Sequence, residues 1–168
     1  MTDAPKQTPE AGPRCEDCGA QVPQGEQNCQ TLFDEVLARE FGDYRYARLH
    51  RLTVDVYSLQ HPERYMRSGK SSAAHLTGTY AALEGGVVDS INHKVQQWLN
   101  GAKAFDTPDP PSPRQRGELT ITRVFGARDP DEHLRRVREW ADCTWAAWKP
   151  HHELARQWID RAKAGNRA

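Results

Sequence analysis

Apolar residues recur at helical spacing through most of the chain. Leu32, Phe33, Val36, Leu37 and Phe41 lie three and four apart and predict an amphipathic helix starting near Cys29. Gly42-Asp43 reads as a stop and a restart. Leu49, Leu52, Val56 and Leu59 carry a second helix from about Asp43 to Gln60, flanked by Tyr46, His50, Thr53 and Tyr57. His61-Pro62 closes it, because the residue before a proline is driven out of the helical region. The short connection makes the two an antiparallel pair.

Further along, 62–70 reads as a polar loop, and Ser71 or Ser72 can cap a third helix through His75, Leu76, Tyr80, Ala81 and Leu83, closed by Gly85-Gly86. Asp89 or Ser90 starts a fourth, with Ile91, Val95, Trp98 and Leu99 on one side and Gly101 after it. The stretch 106–117, DTPDPPSPRQRG, is too rich in proline for regular structure and predicts a long surface loop. Leu119 to Thr122 alternates like a strand without a partner, which suggests an extended lead into a helical turn at 123–127. Asp129-Pro130-Asp131-Glu132 marks the start of a last helix that turns Leu134, Val137, Ala141, Trp145 and Trp148 inward. Pro150 kinks that helix or begins another, with Leu154, Ala155, Trp158 and Ile159 on its apolar face. The expected fold is all-α, a bundle of four to five helices: one domain over 15–165 behind a disordered tail at 1–14.

The cysteines change this picture most. Cys15-Glu16-Asp17-Cys18-Gly19 places two thiols on one tight turn, the geometry of half a tetrahedral zinc site, and Cys29 offers a third. Chain geometry supplies the fourth ligand. Cys29 lies 14 residues before Asp43 and Tyr57 lies 14 after it, so an antiparallel pair returns 57–61 to the level of Cys29. His61 stands there, at a helix end where the backbone can adapt, and His75 is the second choice. A zinc knuckle of Cys15, Cys18, Cys29 and His61 would leave zinc no open position and act as a structural staple. A redox CxxC pair normally follows a strand, and none precedes this one. Cys143 reads as a small buried residue.

Charge excludes more than it suggests. With 23 basic and 23 acidic residues, the chain lacks the basic excess of a nucleic-acid binder. No apolar run is long enough for a membrane span, and the first residues lack the apolar core of a signal peptide, so a reducing, cytoplasmic setting is expected, where cysteines serve as ligands rather than disulfides.

Among the remaining polar residues, His50, Asp55, His75 and His152 are candidates for a catalytic group, the three histidines coming from different helices that meet inside a bundle. A second ion on His50, His75 and His152, with Asp55 as orienter or base, could activate water or a thiol. The plainer alternative is a set of hydrogen-bonded core histidines.

The segments CxxCGA, FDEVLAREF after Cys29, HRLTVDVYSLQHP, HLTGTYAALEGG and WAAWKPHHELARQW together resemble a bacterial family of unknown function whose members carry an N-terminal CxxC and a QHP motif. The resemblance covers about 15–160 and implies motif positions at Cys15, Cys18, Cys29, His50, Asp55, Gln60, His61, His75, His151 and His152. A weaker likeness is to the DinB-type metal-dependent bundles, which include thiol transferases. Those carry a His-x-x-x-His pair on a late helix, where this chain has adjacent His151 and His152. The function expected is a zinc-stapled accessory protein that binds a small ligand or a protein partner in a His-, Asp- and Trp-lined pocket. The alternatives are a metal-dependent hydrolase or thiol transferase, and an interaction module that uses the proline-rich loop.

Overall fold

The structure is a computed structural model, and it describes residues 12–85, 88–101 and 104–165. Eight α-helices are present: α1 Glu26–Gly42, α2 His50–Gln60, α3 Pro62–Tyr65, α4 Gly69–Leu83, α5 Val88–Gly101, α6 Ile121–Phe125, α7 Pro130–Ala147 and α8 His152–Ala164. Six of these are long and two are short, against the four or five expected. The all-α class holds: among the described residues the only β pairing is an isolated bridge between Arg14 and Gln21. That bridge draws Arg14 into the fold, although it was expected in the tail; residues 1–11 lie outside the described residues.

The extra elements have local causes. The Asp43 carboxylate accepts the Arg45 amide at 3.0 Å and also holds its guanidinium. This turn and a 3-10 turn at Ala47–Leu49 delay the second helix to His50. Proline at the first helical position lets 62–65 coil into α3 where a polar loop was expected. The cap of α4 is Ser68 rather than Ser71 or Ser72. Its extended backbone lets its hydroxyl take the Ser71 amide, while the Ser71 hydroxyl takes the Ser68 amide. Pro150 breaks the last helix in two, through a 3-10 turn at Lys149–His151. The helix α6 starts at Ile121, two residues earlier than expected, and 106–117 contains no helix or strand, as expected.

The core has two lobes. One joins the cysteine turn to α1, α2, α6 and the first half of α7, around Phe33, Val36, Val56, Tyr57 and Trp140. The other packs α4, α5, α8 and the second half of α7 around Leu76, Leu99, Trp148 and Trp158. The helix α2 lies between them, against α4 on one side and α7 on the other.

Two expected core residues face elsewhere. Phe41 is 77% exposed, because α1 turns Glu40 inward at that level instead, and Leu134 is only half-buried while its neighbour His133 is fully buried. Among the described residues no helix is long and apolar enough to cross a membrane.

Candidate metal centre

Four ligand atoms meet where the first lobe begins. The chain turns at Cys15–Gly19: the Gly19 amide donates to the Cys15 carbonyl and the Cys15 amide to the Ala20 carbonyl, both at 2.9 Å. Gly19 holds this knuckle with φ +78°, a conformation that a side chain would strain. Cys29 sits on the first turn of α1, its amide bonded to the Gly25 carbonyl. His61 caps the end of α2, where the helix stops ahead of Pro62.

All four side chains are buried: Cys15 0%, Cys18 3%, Cys29 0% and His61 1% exposed. Their ligand atoms lie within 4.8 Å of one another. Cys18 Sγ stands 3.7 Å from Cys29 Sγ, and His61 Nε2 stands 3.6 Å from the sulfurs of both Cys15 and Cys29. A tetrahedral zinc ion, about 2.3 Å from sulfur and about 2.0 Å from nitrogen, sets its ligands about 3.5 to 3.8 Å apart. The spacing fits such an ion. Among the described residues this is the only group of cysteine, histidine and acidic side chains close enough to surround a metal.

Neighbouring groups orient these ligands. The His61 Nδ1–H donates to the Tyr57 carbonyl at 2.8 Å, which turns Nε2 toward the sulfurs. The Tyr57 hydroxyl donates to Cys29 Sγ at 3.7 Å, and the Ala20 amide to Cys18 Sγ at 3.4 Å. The His61 and Phe33 rings each stack on Tyr57, at 4.0 and 3.8 Å between centroids.

The contacts also shift the acidities. Hydrogen bonds from the Cys18 and Cys29 thiols hold Cys15 well below the usual thiol range, and the same contacts with Cys15 and Cys29 push Cys18 well above it. Burial alone would lower the His61 pKa, but hydrogen bonds to Cys15 and Cys29 outweigh it and raise the value to about 9. A divalent cation held by this group would have to displace those protons.

The other candidates do not converge. His50 Nδ1 bonds the buried Glu40 at 2.7 Å, His75 Nδ1 bonds the buried Asp55 at 2.8 Å, and His152 stacks on Trp145 and bonds its carbonyl. The expected meeting of His50, His75 and His152 around a second ion is therefore absent: each ring is held by a different acceptor. His75 is likewise not a ligand of the cysteine group. His151 reaches the Asp109 carbonyl of the proline-rich loop. Cys143 is half-buried rather than buried, and its sulfur accepts the Glu118 and Leu119 amides.

A model of one protein family matches residues 13–149, most of the chain. The chain belongs to DUF5946, a family of unknown function. The DUF5946 match contains all four metal-centre residues and stops just before α8. Neither a characterised protein nor a solved structure matched the chain in the same comparisons.

Three residues in a row, Gln60, His61 and Pro62, turn out to do three jobs. His61 joins the sulfurs and Pro62 starts α3. Gln60, fully buried, donates to the Arg116 and Leu119 carbonyls at 3.1 and 2.8 Å and accepts the Trp140 indole N–H at 3.0 Å. The proline-rich loop is thereby clamped against α2. Arg116, also fully buried, donates to the Pro111 and Gln60 carbonyls and pairs with Glu63.

Glu40, His133, Arg116 and Trp140 were not anticipated. The spacing 29, 33, 36, 40 places Glu40 on the apolar stripe of α1, and 133, 137, 140, 144 places His133 and Trp140 on that of α7. A polar residue on such a stripe was the available signal. Nothing in the loop composition marks Arg116.

Proposed function

We propose that the protein is a zinc-stapled binding protein without catalytic activity at its metal. Cys15, Cys18, Cys29 and His61 would hold one structural Zn2+, and the helices beyond it would present a surface to a small ligand or a protein partner. The observation that carries this is the closed donor set, three sulfurs and one imidazole nitrogen at tetrahedral spacing with all four residues buried. Such soft, N/S, four-ligand sets favour zinc, and a site with every position filled by protein has no place for substrate or water. The ion would tie the N-terminal turn to α1 and to the end of α2, a long-range link from a chain segment with little core of its own. Four free thiols suit a reducing compartment such as the cytoplasm.

Elemental analysis of protein purified without added metal tests this, with cobalt(II) exchange as the second readout. One zinc per chain and a cobalt spectrum with tetrahedral intensity and sulfur-to-metal charge transfer are expected. A metal content near zero, or an octahedral cobalt spectrum, would refute the assignment.

A further inference from the structure

Away from the metal centre, the start of α2 faces α4, α5 and α7 across a cavity of about 470 Å3, within the range of small-molecule sites at about 300–1,000 Å3. Arg48, His50, Arg51 and Arg138 line it, together with Asn92, and none of its described lining residues is acidic. Asp55 behind Gly78 offsets Arg51, so the uncompensated positive charge of the cleft is that of Arg48 and Arg138. Arg48 and Arg138 are exposed and have no ion-pair or hydrogen-bond partner among the described residues.

The wall behind these groups is built. Glu40, 1% exposed, holds His50 Nδ1, which leaves Nε2 as the ring nitrogen without a hydrogen-bond partner among the described residues. Asp55, 0% exposed, accepts Arg51 Nε at 2.8 Å, and Arg51 Nη2 donates to the Ala74 carbonyl at 3.1 Å. Two buried carboxylates thus fix two adjacent basic side chains that would otherwise swing freely. Gly78 completes the floor, because a Cβ there would collide with Asp55 Oδ2 and press on the Arg51 guanidinium. Groups held in place before a ligand arrives lose less entropy on binding it, and guanidinium forks match phosphate and carboxylate oxygens.

We propose that this cleft binds a small polyanion carrying phosphate or carboxylate groups, clamped by Arg48, Arg51 and Arg138 with His50 as an additional polar contact. Leu52 and Ala82 on the same wall would take the uncharged part of the ligand. The proposal deepens the binding-protein reading and rests on it, but it does not depend on which metal the cysteines hold.

Calorimetric titration of the full-length, metal-loaded protein with inorganic pyrophosphate and, separately, with citrate tests it. Saturable one-to-one binding of at least one anion is expected, weakened at least tenfold in the Arg48→Ala/Arg138→Ala variant. Preference for pyrophosphate would assign the cleft to phosphates, and preference for citrate to carboxylates. Arg161→Ala, which removes a charge from α8 outside the cleft, should leave binding unchanged. Equal thermal midpoints and metal contents would verify that the variants fold. Binding that survives the double substitution, an equal loss in Arg161→Ala, or no saturable binding of either anion overturns the proposal. A protein that holds one zinc but binds neither anion loses the cleft and keeps the staple.

Discussion

Phe33 and Tyr57 stack face to face, their ring centroids 3.8 Å apart and their planes 5° from parallel. This pair sets the register of α1 against α2, and the other contacts follow from it. One turn toward the cysteines, Cys29 meets His61; two turns the other way, Glu40 meets His50. In each case the two residue numbers add up alike, as an antiparallel pair about a fixed turn requires. The aromatic stack is therefore what brings an imidazole to the level of three sulfurs, and it separates residues that could bind an ion from residues that would only position it.

Ligands and positioning residues should differ in a measurable way. Cys29→Ala should abolish stoichiometric zinc, because three remaining groups cannot close the tetrahedron. Tyr57→Phe keeps the stack and all four ligands but removes the hydroxyl that donates to Cys29 Sγ. It should still bind one zinc, with affinity lower by about tenfold, the usual scale for losing an outer hydrogen bond to a ligand. Competition against a chromogenic chelator reads this directly. Unchanged affinity in Tyr57→Phe would mean that the hydroxyl does not tune the sulfur.

Gln60 offers a second test, on stability rather than metal. Its amide is used at both ends, by the Arg116 and Leu119 carbonyls and by the Trp140 indole. Gln60→Ala strands two buried polar groups and the half-buried Leu119 carbonyl, each worth about 1 kcal/mol or more when left without a partner. A loss of about 3 kcal/mol in chemical denaturation is expected. Trp140→Phe strands only Gln60 Oε1 and should cost less from the hydrogen bond alone. The two effects should not add, because both act on one network. Strict additivity in the double variant would argue against the clamp.

How much of this was legible in the chain depends on the range of the interaction. The cysteine turn, the level of His61 and the caps at Asp129 and Pro130 follow from spacing and local backbone chemistry, and the structure brings these residues together as that chemistry demands. The delayed start of α2 turned on one side-chain contact, from Asp43 to Arg45, that periodicity does not register. Imidazoles were expected to gather around a metal because histidines on several helices can do so. The decisive fact was that buried carboxylates, Glu40 and Asp55, had already engaged His50 and His75. Arg116 was invisible for another reason: its partners come from α2, α3 and its own loop, and no pattern in a proline-rich segment announces a buried guanidinium.

The closeness of α2 to α4 predicts an asymmetry between two glycines. At Gly78 a Cβ would collide with the Asp55 carboxylate, which is itself locked by Arg51 and His75 and cannot move aside cheaply. Gly78→Ala should therefore destabilise the protein by about 2 kcal/mol or more, as overpacking typically does. At Gly42, the last residue of α1, a Cβ would meet nothing within 4 Å. Gly42→Ala should be neutral or slightly stabilising, since alanine restricts the unfolded chain and favours helix. Thermal melts of the two variants decide the matter. Equal small effects would show that α2 and α4 can separate without cost.

The pairing of Arg116 with Glu63 makes a prediction about pH. Partial burial by itself would raise the Glu63 pKa, but the Arg116 guanidinium outweighs it and holds the carboxyl below its ordinary 4.5. A carboxyl depressed by folding adds stability that is fully present above its unfolded value and disappears as the pH falls through its folded one. Glu63→Gln should therefore lower the melting midpoint at neutral pH, where the fully buried Arg116 loses its nearer charged partner and keeps only Asp17 at 3.9 Å. Once the pH falls below that depressed value both proteins carry a neutral side chain there, and their midpoints should converge. Acid also drives protons onto the cysteine group and would release an ion held there, and Glu63 interacts with His61, so metal content is to be measured beside each melt. At equal metal content the difference between them reports the pair. Because the Glu63 side chain is half exposed, that difference should shrink in high salt as well. A gap between the two midpoints that persists unchanged at pH 3 would show that Glu63 acts through its shape and not its charge.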